Sequence, residues 1–194
     1  MLDILVDKYE NIASLLGKLD PELWVVTASN GQQHGGMIAT FAVPASIVYT
    51  QPRILLGIAR HHHTWEIIEQ SNQFALHLIP EQRFDWIEHF GAQSGRVVDK
   101  FASQKMIFSD NGNPILTEAL GWIECRIETR MDTGDRTVYL GEIVDGMLSF
   151  NAQPLTVKYL YKHATASLIK TLNQLYVKDG MIDFGNIQAW RRQL

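Results

Sequence analysis

Thiol chemistry is nearly absent from this sequence, which holds one cysteine, Cys125. An internal disulfide is thereby excluded. Cys125 alternates with charged neighbours in "IECRIETR", the pattern of a small inward-facing strand residue rather than of a nucleophile. Excess positive charge is also lacking: 17 Lys and Arg against 21 Asp and Glu leave a net charge of −4, so the basic surface that grips nucleic acid is not expected. No apolar run approaches the ~20 residues that cross a bilayer. The opening "MLDILVDKYEN" has neither the basic start nor the apolar stretch of a secretory signal. A cytoplasmic protein without a membrane or nucleic-acid partner is the expectation. Internal repeats and low-complexity segments are missing too.

What remains is an ordinary globular composition, 46% apolar and 20% charged over 194 residues, enough for one domain with an appendage. Residues 1–20 carry apolar positions (Leu5, Ile12, Leu15, Leu16, Leu19) at mixed three- and four-residue spacing and read as one or two short helices ending near Pro21. From residue 21 to 150 the pattern is of strands: "ELWVVTAS", "MIATFAV", "RILLGIA", "FALHLI", "IECRIETR" and "RTVYLGEIVDGMLSF", with turns at Asn30-Gly31 and at "DTGD". In "IECRIETR", Ile123, Cys125, Ile127 and Thr129 share one side, and Glu124, Arg126, Glu128 and Arg130 share the other, which is expected to be wet. Only two short helices, 64–70 and 84–90, interrupt the strands. They are too few to cover both faces of a parallel sheet, so a mainly antiparallel closed barrel is predicted. Residues 151–194 turn helical, with Leu168, Leu172 and Leu175 on one face that must pack on the barrel or on a second copy of the chain.

The segment "IARHHHTWEII" places Arg60, His61, His62 and His63 where a strand hands over to a helix. Consecutive residues of an extended chain point in alternating directions, and no CxxC or HExxH stands nearby to complete a ligand sphere, so no metal centre is expected. An anion suits the place better. The first-turn N–H groups of a helix carry partial positive charge, Arg60 adds a fork of donors, and Thr64 can cap the helix. A plain solvated loop stays open as a third use. Upstream, Gly35 and Gly36 let backbone approach a ligand, and the small Ala39 and Thr40 leave room for a flat ring. His77, in an apolar strand, reads as a hydrogen-bonded core histidine rather than a haem ligand.

The order of these segments resembles the flavin reductase-like family of FMN-binding split barrels over residues 23–150. "GMTAS" of that family stands here as Gly36-Met37-Ile38-Ala39-Thr40; its "NRxxxT" loop as Ala59 to Thr64; "HELI" as "TWEII"; "FAVNVL" as "FALHLI"; "DRFA" as Asp99-Lys100-Phe101-Ala102; and "ALAWLECRV…GDHT" as "ALGWIECRIETRMDTGDRT". The resemblance implies a six-stranded antiparallel split β-barrel with short helices and a helical C-terminal tail, forming a homodimer with flavin at the interface. It implies FMN, or alternatively FAD, lying along Met37, Ile38, Ala39, Thr40 and Phe41. Arg60, His61, His62, His63 and Thr64 surround its phosphate, and Lys100 and Phe101 close the site. The implied activity is hydride transfer from NADH or NADPH to flavin, with reduced flavin passed to an oxygenase or another electron acceptor. The alternative is a flavoredoxin-like electron carrier docking with a protein partner. Three positions depart from the family: Arg136 replaces the histidine of "GDH" and is the one candidate catalytic side chain, while Ile38 and Ala59 replace a threonine and an asparagine.

Overall fold

The structure is a computed structural model that describes residues 2–194, with side chains from Tyr9 onward. The Leu5 side chain lies outside the described residues. Residues 2–16 form one continuous helix, α1 (Leu2–Leu16), where one or two segments were expected. Of its apolar positions, Ile12, Leu15 and Leu16 are exposed.

Nine strands follow: β1 (Trp24–Ser29), β2 (His34–Ala39), β3 (Ala42–Pro44), β4 (Arg53–Ala59), β5 (Gln73–Leu78), β6 (Met106–Phe108), β7 (Pro114–Leu116), β8 (Gly121–Asp132) and β9 (Arg136–Leu148). Seven make one sheet in the order β2-β1-β5-β8-β9-β4-β3, every pair antiparallel, and β6 with β7 forms a separate hairpin. The sheet therefore has one strand more than the six expected. The extra one arises because "MIATFAV" is not a single strand: it breaks at Thr40 and Phe41 into β2 and β3.

That break shapes the sheet. Its edges, β2 and β3, are consecutive in the chain. Six strand-to-strand steps of about 4.8 Å would hold the edges about 29 Å apart if the sheet were flat, whereas the three Cα steps from Ala39 to Ala42 reach about 11 Å at most. The sheet must curl. It curls around Val26, Leu56, Ile58, Phe74, Leu76, Cys125 and Tyr139, all buried. The hydrogen-bonded ladder does not run between β2 and β3, so the result is a half-barrel with a seam rather than the closed barrel expected.

β8 and β9 pair from Gly121↔Leu148 to Asp132↔Thr137 with two register shifts. The alternation of β8 is broken at Glu124, which the sequence pattern assigned to water. It is buried, accepting hydrogen bonds from Ser109 Oγ, Asn111 Nδ2 (2.7 Å) and Asn113 Nδ2 (2.8 Å) in the β6–β7 region. These three donors satisfy its oxygens in place of solvent. His77 is fully buried and donates from Nδ1 to the Val25 carbonyl at 3.1 Å, the core role predicted for it.

Helix α2 (His63–Ser71) buries Ile67 and Ile68 against the barrel core. α3 (Phe84–Trp86) runs into a π-helical turn, Ile87–Gly91. Trp86, Ile87 and Phe90 from this segment join Leu23, Ile79 and Leu155 in a second apolar cluster outside the barrel. Onto it the tail folds as α4 (Val157–His163) and α5 (Ala166–Arg191), contributing Leu160 and Leu168. Thr156 and Thr165 cap the two helices, accepting from Tyr159 N and Leu168 N. Among the described residues, no helix is long and apolar enough to cross a membrane.

Candidate functional site

Strand β4 ends at Ala59, and Arg60 N donates to the Asp135 carbonyl at 3.0 Å while His62 N donates to Ala59 O at 3.2 Å. The histidine run is thus a turn and not an extended segment. His62 occupies the N-cap of α2 in an extended conformation, and no side chain caps the first turn. Thr64, expected as the cap, is inside the helix and buried. It is packed so closely on β2 that a Cβ added to Gly35 would stand 3.0 Å from Thr64 Cα and Oγ1, which explains the glycine there. The first-turn amides are left without a side-chain acceptor, the usual opening for an anion.

The turn also decides where the side chains go. Arg60 leans away from its neighbours to pair with Asp132 (3.1 Å) above the Trp65 ring. His61 points toward α5, with Nε2 3.4 Å from Asp179 Oδ1 and Nδ1 3.6 Å from Asp183 Oδ1. His62 lies beside it, ring centroids 4.3 Å apart, so the converging pair is His61 with His62 and not the His61 and His63 that strand alternation would bring together. Burial, and then the charge of His61, push His62 down to about 4, so its ring is neutral. His63 Nδ1 meets Glu66 at 3.2 Å, and Arg96 meets the same carboxylate at 2.6 Å. The Arg96 hydrogen bond, followed by that of His63, holds Glu66 below its usual range.

These groups border a cavity of about 510 Å³. β2 supplies Gly36, Met37 and Ile38; the junction supplies His61 to Thr64; the end of the π-helical turn and the loop after it supply residues 90–96; and Lys100 closes one side. Lys100 is buried, its Nζ donating to the carbonyls of Gly36 (2.9 Å) and Phe90 (2.8 Å), and burial lowers it to about 8. The outer wall is α5, through Leu172, Leu175, Lys178, Asp179 and Ile182.

Seven predicted residues thus converge: Met37, Ile38, His61, His62, His63, Thr64 and Lys100. Six lie outside the cavity lining. Ala39 is buried in the barrel core, Thr40 and Phe41 turn the corner between β2 and β3, and Arg60 faces Asp132. Phe101 packs on Phe90 and His34. Arg136, at the start of β9, is held by Asp135 (3.1 Å) and by Asp183 of α5 (2.8 Å). Sequence reasoning missed Arg96, Lys178 and Asp179. For Asp179 a signal existed: the stripe Leu168, Leu172, Leu175, continued by four and then three, reaches Asp179 and Ile182.

A family model of the Flavin reductase like domain matches residues 16–165. The chain belongs to that family. By sequence it is 26% identical over 147 residues to diflavin flavoprotein A 1 of a Synechocystis strain, covering 75% of this chain. The chain spans only 25% of the length of that relative. By fold it is similar to nitrilotriacetate monooxygenase component B of Mycobacterium thermoresistibile (TM-score 0.68, 22% identity, 78% of this chain and 83% of that one). It is equally similar to an NADH:FAD oxidoreductase of Streptomyces globisporus (TM-score 0.68, 20% identity, 77% and 88%). In this flavin reductase like domain the family match stops at residue 165, one residue before α5 begins. The barrel side of the cavity is therefore family sequence, and its outer wall is not.

Proposed function

We propose that this flavin reductase like domain binds FMN in the cavity at the β4–α2 junction and acts as an oxidoreductase taking electrons from NADH or NADPH. The observation that carries the reading is the uncapped first turn of α2 at the wall of a cavity lined by both apolar and basic side chains. The residues fit the cofactor: Ile38, Phe90 and Leu172 offer flat apolar surface to a ring, and Lys178 and Lys100 bring positive charge toward the helix N-terminus that would take a phosphate. The size is in the range of ligand pockets, roughly 300–1,000 Å³. FAD is the alternative.

When bound, flavin supplies two-electron chemistry that a nicotinamide can feed. The protein's part is to hold and polarise. Lys100 ties the β2 backbone to the π-helical turn, fixing the wall against which the ring would rest. Its ammonium, with the α2 dipole, provides preorganised positive potential where negative charge develops. Phe90 and Ile38 exclude water from that wall. The exposed apolar side chains at and after β3, Phe41, Val43, Ile47, Val48 and Tyr49, favour a homodimer packed through that edge.

One observation favours a second reading, an electron carrier docking with a protein acceptor: Arg136, the candidate catalytic side chain, lies outside the cavity lining and is paired with Asp135 and Asp183. The test is anaerobic. Protein loaded with FMN and freed of excess should stay yellow and bleach on adding NADH or NADPH. Bleaching by dithionite alone transfers the assignment to the carrier, and protein that retains no flavin overturns both readings.

A further inference from the structure

We propose that His61, His62 and Asp179 form a binding site for a divalent transition ion of the zinc class, which fastens helix α5 to the barrel. One ligand atom from each of the three lies within 4.8 Å of the others. Tetrahedral zinc, with bonds of about 2.0–2.1 Å, needs its ligand atoms roughly 3.3 Å apart, and His61 Nε2 already stands 3.4 Å from Asp179 Oδ1. A ligand atom of His62 already lies within 4.8 Å of both, so the third contact needs no change of fold.

The surroundings of His61 make the case independent of spacing alone. Both its ring nitrogens are buried without a hydrogen-bond partner, and so is Asp183 Oδ1 opposite. Buried polar atoms are paired in almost all structures. Here His61 Nδ1 faces Asp183 Oδ1 at 3.6 Å and its Nε2 faces Asp179 Oδ1 at 3.4 Å, both too far for good hydrogen bonds. A cation between His61 Nε2 and Asp179 satisfies both, and it leaves Nδ1–H free to donate to Asp183. That is the carboxylate–histidine–metal arrangement by which proteins orient a ligating imidazole. Asp183 is in turn steadied by Arg136 at 2.8 Å through its other oxygen. Three protein ligands leave a fourth position for water.

The sequence pattern around His61 lacked a third ligand because that ligand comes from the tail, which lies beyond the family match. The site would thus belong to this chain's extension and not to the barrel fold.

The test is metal uptake by flavin-free full-length protein stripped with chelator, so its outcome is separate from that of the flavin proposal. Titration with Co²⁺ should raise a visible d–d band of four- or five-coordinate intensity, saturating at one ion per chain and abolished by Zn²⁺. Asp179→Asn, an isosteric change on a helix surface, should weaken cobalt binding at least ten-fold with unchanged circular dichroism. Asp183→Asn should weaken it by roughly 10- to 100-fold, the usual effect of losing an orienting carboxylate. Absence of a d–d band at millimolar Co²⁺ overturns the proposal, and so does binding that Asp179→Asn leaves intact.

Discussion

Arg136 Nη2 donates to Asp183 Oδ2 at 2.8 Å, joining the first residue of β9 to the middle of α5. Burial raises the Asp183 carboxyl above its usual range even with the guanidinium beside it. The pair is a polar fastening of an otherwise largely exposed helix, whose buried residues are Leu168 and Asp183. We predict that Asp183→Asn loosens α5 while leaving the barrel intact. Hydrogen exchange should accelerate for amides in residues 172–191 and stay unchanged in β5 and β8. Equal acceleration in both regions would show that the helix is integral to the core.

FMN and riboflavin differ in the phosphate alone. His63→Ala with Lys178→Ala should weaken FMN binding at least ten-fold and riboflavin little, since each charge-assisted bond contributes about 1.5–3 kcal/mol. Arg60→Ala should change the ratio of the two affinities little, because its guanidinium is turned to Asp132. Paired calorimetric titrations of both ligands decide; a ratio that moves with Arg60 alone would shift the phosphate to the other side of the loop.

Lys100→Met keeps the aliphatic stem and removes the donors to Gly36 O and Phe90 O. Two buried carbonyls lose their ammonium partner, so the protein should lose about 2 kcal/mol or more of stability. Chemical denaturation should show it as a lower midpoint with an unchanged slope.

His77 gives a pH signature. Burial lowers it to about 4, against about 6.5 in the unfolded chain. Between these values the unfolded state binds a proton that the native state refuses, so this residue makes stability fall as pH drops from about 6.5 to about 4, by about 1.4 kcal/mol per pH unit at most. Above pH 6.5 its contribution is constant. In His77→Gln the slope of unfolding free energy against pH over that window should flatten, and an unchanged slope would show that another group carries it.

The barrel was legible in the sequence because strand periodicity and turn dipeptides are local signals. Trp24 to Ser29, Arg53 to Ala59 and the long pair ending at Asp132 and Arg136 could be read nearly residue by residue. The strand break at Thr40 and Phe41 could not, since it answers to the curling of a seven-stranded sheet and not to local propensity. Glu124 misled for a similar reason: its partners come from Ser109, Asn111 and Asn113, which no pattern in β8 foretells. At the site, the sequence offered the loop of histidines as an anion receptacle, and His61 to Thr64 do line the cavity. Its outer half was not legible, because Lys178 and Asp179 arrive from a helix distant in sequence.

That division of the cavity between two tracts of sequence separates scaffold from selectivity. Under the proposed function, residues before 166 supply the helix N-terminus and Lys100, and the lengthy helix after them supplies Lys178 and the apolar Leu172. Exchanging this terminal segment among relatives would then retune which molecules enter without disturbing the folding of the domain that receives them.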